Sequence, residues 1–150
     1  MNLKDWAAKQ NLKEEKSSRK EISDLLALAD QKIKDCVVLS GVEVSTDLYH
    51  ACVYEAAIPC AKAVLRAEGF QVPKEAEGGH SKLFQSLTLT LDAKQKYLNA
   101  LQESRKKRNQ TLYVAIVGED KSVIDNLLVL VRELRADAET WIHKHHSDLL

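Results

Sequence analysis

Apolar residues recur along this chain at intervals of three and four, the period of a helix packed on one side. The clearest such face holds Ile22, Leu25, Leu26, Ala29, Ile33, Cys36 and Val37. Ser18-Arg-Lys-Glu21 precedes it as a capping box, in which the Ser side chain satisfies a free N–H and the Glu reaches back. Ser40-Gly41 ends it. Ser45-Thr46-Asp47 opens a second helix running to about Glu68, with Gly69 as terminator. Its expected face is Leu48, Cys52, Val53, Ala56, Ala57, Cys60, Val64 and Ala67, rich enough in alanine for close helix approach. Pro59 removes one hydrogen bond and crowds the carbonyl of Glu55. The apolar pattern stays in phase across it, which predicts a kink near Glu55 and not a break. Residues 71–80 read as a loop. A third helix over 81–91 turns Leu83, Phe84, Leu87 and Leu91 inward. Asp92 and Gln95 open a fourth, lined by Leu98, Leu101 and Leu112, with Arg105 and Arg108 in the same stripe. After a turn at Gly118, Ser122 with Asp125 caps the last helix, which carries Leu127, Val131, Leu134, Ala138, Trp141 and Ile142.

No period-two run of useful length competes with these segments. The pattern therefore predicts an all-α protein, an up-and-down bundle of about five helices. Residues 1–17, with Leu3, Trp6, Ala7 and Leu12, read as an N-terminal docking segment. Residues 18–143 form the bundle and 144–150 a fraying tail.

Composition narrows the function classes. A chain of 150 residues with 45% apolar and 29% charged positions can bury one core. Its 22 basic and 22 acidic residues cancel, so any grip on a polyanion must come from a local patch. Three cysteines, with no C-x-x-C pair, argue against a secreted disulfide framework and a structural zinc site, and Cys36 and Cys60 read as buried thiols. No apolar run has the length of a membrane span, and the N-terminus lacks the apolar core of a secretion signal. A cytoplasmic location without membrane contact is the expectation.

The histidines offer little by themselves. His80 reads as a capping or packing residue at a helix start, and His50 as part of a helix's packing or polar edge. Glu77-Gly-Gly-His80 has the spacing of a di-iron pair, but the two glycines argue against the helix that pair needs. His143, His145 and His146 do not make a specific metal site. No phosphate loop, G-x-S-x-G elbow or H-E-x-x-H motif is present, and no metal or cofactor is expected.

The densest charge in the chain is Arg105-Lys106-Lys107-Arg108-Asn109. On a helix Arg105 and Arg108 project from one face, and Asn109 and Tyr113 are neighbours one turn on. A guanidinium donates paired hydrogen bonds that suit a phosphate. A solvated helix end would equally account for the cations alone.

The order of parts resembles the HEPN superfamily of prokaryotic helical proteins. The likeness spans roughly residues 1–143. It takes in the Trp-bearing N-terminus, Glu21-Ile-Ser-Asp-Leu-Leu-Ala-Leu-Ala29, the Ala-rich helix from Tyr49 to Leu65 followed by Glu68-Gly-Phe70, and Gly79-His80. Its specific part is Arg105-Lys-Lys-Arg108-Asn109-Gln-Thr-Leu-Tyr113. The resemblance implies a homodimer whose paired motifs face one cleft, RNA or a nucleotide as ligand, and a small nucleotidyltransferase-type antitoxin as partner in a toxin–antitoxin or defence system. In complete members the motif Arg stabilises charge as a ribose 2′-OH attacks the adjacent phosphate without a metal, and a His four to six positions later moves the proton. Here Arg108 is kept and Tyr113 stands where the His would be, and a phenol with a pKa of about 10 is a poor base. The implied catalytic pair is thus Arg108 and Tyr113, and the implied ligand site Arg105, Arg108, Asn109 and Tyr113. Binding with weak or no RNase activity is the expectation. The alternative is a non-catalytic helical partner or regulator of another protein.

Overall fold

A computed structural model of the chain describes residues 1–74, 78–91, 95–113 and 120–150, with the backbone alone for 110–113. The features expected at Glu77, Asp92, Leu112 and Gly118, and the side chain of Tyr113, lie outside the described residues.

The fold is an all-α bundle. Its helices are α1 (Leu3–Lys9), α2 (Arg19–Ser40), α3 (Thr46–Ala67), α4 (Gly79–Ser86), α5 (Gln95–Tyr113) and α6 (Lys121–His145). The described strand is one antiparallel pair, β1 (Lys13–Glu14) against β2 (Phe70–Gln71). Among the described residues no helix is long and apolar enough to cross a membrane.

The caps at Ser18 and Ser45 form as local chemistry dictates. Ser18 Oγ accepts from the Glu21 N–H at 3.1 Å and Ser45 Oγ from the Leu48 N–H at 3.2 Å. Gly69, at φ +90°, follows the end of α3 in a conformation that L side chains resist. At α6 the cap is Asp120, not Ser122: the Asp120 carboxylate accepts from the Ser122 N–H at 3.2 Å. The expected partner Asp125 bonds Lys121 and Tyr49 instead.

α3 is the hub, packed against α2, α4, α5 and α6. It runs unbroken through Pro59. Its burial extends beyond the expected single face, since Tyr49, Tyr54, Ala61, Ala63 and Leu65 are also inside. Fully buried Ala56, Ala57, Ala61 and Ala63 let the surrounding helices approach closely. Two residues expected inward face out: Leu48, 53% exposed, and Val37, 43% exposed, both beside the α2–α3 turn. In α4 Leu83, Phe84 and Leu87 are buried as the period requires, but the α-helix stops at Ser86 and tightens into a 3-10 turn over Leu87–Leu89. In α6 Ile124 and Leu128 join Val131, Leu134, Ala138 and Ile142 in the core, with Leu127 and Trp141 only half-buried.

Residues 144–150 are not a fraying tail. α6 continues to His145, Ser147–Leu149 form a 3-10 turn, and Leu149 and Leu150 pack on a cluster of Ile22, Leu26, Ala63, Ala67 and Ile142. The Leu150 carbonyl accepts from the Arg19 guanidinium. His145 stacks on Trp141 with ring centroids 3.9 Å apart, and His146 Nε2 lies 3.1 Å from Glu68 Oε1.

Candidate functional site

Three helices converge around the aromatic ring of Tyr54. α3 supplies Tyr54 and Glu55, α4 supplies His80 and Phe84, and α5 supplies Arg105 and Arg108. Tyr54 is buried and meets Phe84 edge-on at 5.9 Å between centroids. Its hydroxyl shares a 2.8 Å hydrogen bond with His80 Nδ1. Arg108 lies over the same ring, its Cζ 5.2 Å from the centroid, and its Nη2 donates to Glu55 Oε1 at 3.0 Å. Lys32 of α2 approaches the other Glu55 oxygen at 3.8 Å.

Arg105 is positioned through its own helix. Its Nε donates to Gln102 Oε1 at 2.9 Å, and Gln102 Nε2 in turn donates to the Ser81 hydroxyl at 2.8 Å on α4. This side-chain chain ties α5 to the first turn of α4 and orients Arg105.

The electrostatics of the cluster are basic. His80 stays exposed at one side, but partial burial against Tyr54 and Phe84 lowers its pKa from 6.5, with Lys62, Arg108 and Arg105 pushing it further down and Glu55 opposing. The imidazole is therefore neutral at pH 7. Burial pushes the Tyr54 phenol up from 10.0, against a smaller downward pull of Arg108 and Arg105. When the Tyr54 hydroxyl donates to Nδ1, the ring proton sits on Nε2, which is then a hydrogen-bond donor.

The sequence-expected group is distributed as follows. Arg105 and Arg108 both act on Tyr54 and His80. Arg108 keeps 30% of its side chain exposed, and its partners among the described residues are Glu55, to which it donates, and the Tyr54 ring beneath it. Asn109 is exposed, and the Tyr113 side chain lies outside the described residues. Tyr54 and Glu55 were not singled out in sequence. His80 does the packing expected of it and also stands in the cationic cluster. His50 is buried and bonds Ser104 Oγ at 2.7 Å.

A cleft of about 260 Å³ lies between α5 and α6, with His50, Ser104 and Lys107 among its walls. A larger one of about 610 Å³ runs between α2 and α6 past Arg19 and Arg135. Neither is lined by Arg105 or Arg108. Arg135 is held bidentately by Asp30 at 2.8 and 3.0 Å, so its charge is already matched. Among the described residues no group of three or more His, Cys, Asp or Glu side chains could hold a metal ion.

No family model matches the chain, and neither does any curated protein or solved structure.

Proposed function

We propose that the chain is a HEPN-type RNA- or nucleotide-binding protein, with weak or no RNase activity. The observation that carries this reading is the placement of Arg108, partly exposed above Tyr54, with Arg105 and Lys62 near His80. Glu55 balances one charge of the group. The remaining cations, with the fork geometry of two arginines, suit a phosphate.

Binding is tested by fluorescence anisotropy with a structured RNA and with a nucleotide at low salt. Arg108→Ala should weaken binding by about 10- to 100-fold, the loss of one charge-assisted contact. Weak cleavage follows from Tyr113, because a missing general base or acid costs on the order of 10²–10⁴ in rate. Tyr113→His should raise cleavage of the same RNA. Rapid cleavage by the natural protein would overturn this part of the reading.

In the same reading the protein is a cytoplasmic homodimer paired around α5, and a small nucleotidyltransferase-type antitoxin is its partner. The likeness of Arg105–Tyr113 to the family signature supports both. A second reading, a non-catalytic helical partner or regulator of another protein, is favoured by Val37, Val38, Val42 and Leu48, all exposed around the α2–α3 turn. Absence of RNA and nucleotide binding at low salt would put that reading in front.

A further inference from the structure

Two thiols that the phosphate-binding reading does not use meet between α2 and α3. Cys36, near the C-terminal end of α2, and Cys52, in the second turn of α3, place their sulfurs 2.9 Å apart. The two residues are 16 apart in sequence and come together because α2 and α3 form an antiparallel hairpin around the Gly41–Ser45 turn. Cys36 is fully buried, whereas Cys52 is only partly covered. We propose that Cys36 and Cys52 are a two-electron redox site, closed to an intramolecular disulfide by a hydroperoxide.

The geometry asks little of the backbone. A disulfide needs about 2.05 Å between sulfurs, so closure requires less than ~1 Å of movement. Both residues lie on regular helices, and rotation about their side-chain bonds can supply it. Solvent reaches Cys52 and not Cys36, which assigns the roles. The Cys52 sulfur attacks the peroxide O–O bond, the distal oxygen leaves as alcohol or water, and Cys52 becomes a sulfenic acid. The Cys36 sulfur then attacks the Cys52 sulfur and water departs. The sum is two thiols plus ROOH giving the disulfide, ROH and water; the two sulfurs lose two electrons and the O–O bond takes them. Burial, the neighbouring Cys52 and Asp35 push the Cys36 thiol up, with Lys32 opposing, so Cys36 rests as the thiol and its proton leaves with the sulfenic oxygen as water.

Cys60 serves as the internal control. It is fully buried about two turns further along α3, bonds the Ala56 carbonyl at 3.4 Å, and burial pushes its thiol up to about 12. The closed bridge would pin the α2–α3 hairpin one turn from the Lys32–Glu55 pair.

The test is brief treatment of the folded protein with near-stoichiometric hydrogen peroxide, followed by alkylation and peptide mass mapping. The expected product has lost two hydrogens, carries a Cys36–Cys52 cross-link within one chain, and returns to the free thiols with dithiothreitol. Cys60 should stay reduced throughout, and Cys60→Ser should leave the product unchanged. With Cys36→Ser, Cys52 should stop at the sulfenic acid, trappable with dimedone, which shows that Cys52 is attacked first. Three results would each overturn the proposal: both cysteines alkylated after peroxide, Cys52 advanced to sulfinic acid in the natural protein without a bridge, or a bridge that uses Cys60 or a second chain.

Discussion

His80 stands where three cations and one carboxylate meet: Lys62, Arg105 and Arg108 push its pKa down and Glu55 pulls it up. Because its pKa is lowered in the folded protein, protonation opposes folding, and the cost appears as pH falls below 6.5. An NMR titration of the His80 ring should give a value below 6.5, and Arg108→Ala should move it upward. A value at or above 6.5 in the natural protein would contradict the cluster. The arginine pair was legible in sequence because its members are three apart on one helix. The rest of the group was not. Tyr54 and His80 are separated by 26 residues and Glu55 and Arg108 by 53, distances across which no local period carries information.

Arg66 shows how one side chain can fix several elements. It lies at the C-terminal end of α3 with only 7% of its side chain exposed. It donates to Glu21 Oε1 at 2.7 Å on α2, to the Glu15 carbonyl at 2.8 Å beside β1, and to the Phe70 carbonyl at 3.3 Å in β2. The N-terminal segment, the strand pair and the α2 cap thus converge on one guanidinium. Arg66→Ala strands these acceptors and should cost about 3 kcal/mol, or roughly 6–12 °C in Tm at this chain length. Differential scanning calorimetry checks it. Glu21 adds a pH dependence. Its hydrogen bond to Arg66 holds its pKa below 4.5, with burial opposing, so its contribution is full above 4.5 and fades as pH falls through the lowered value. The stability gap between the natural protein and Glu21→Gln should therefore narrow in acid. Sequence reasoning reached the Ser18–Glu21 cap because its two residues are three apart. It missed Arg66, 45 residues from Glu21, for want of any local signal. It also read α3 as one-sided, since an alanine-rich helix shows the same period whether one face or several are covered.

At the scale of the molecule, the proposed function puts the anion at the basic group on α3, α4 and α5, and a second copy paired around α5 would bring two such groups together. A two-fold interface repeats the same residues across its axis. Sedimentation at tens of micromolar, a concentration set by the affinity arithmetic of a micromolar dimer, should give the mass of two chains; a monomer there would count against pairing. The claim on which the functional reading depends is that Arg108 contacts phosphate. Its most direct measurement is the salt dependence of RNA affinity for the natural protein and for Arg108→Ala. Each phosphate contact contributes about 0.7–0.9 to the slope of log affinity against log salt. The expected result is a steep negative slope for the natural protein, with Arg108→Ala weaker at every salt concentration and shallower by about that amount. Equal slopes and equal affinities for the two proteins, or no binding by either at low salt, would contradict it.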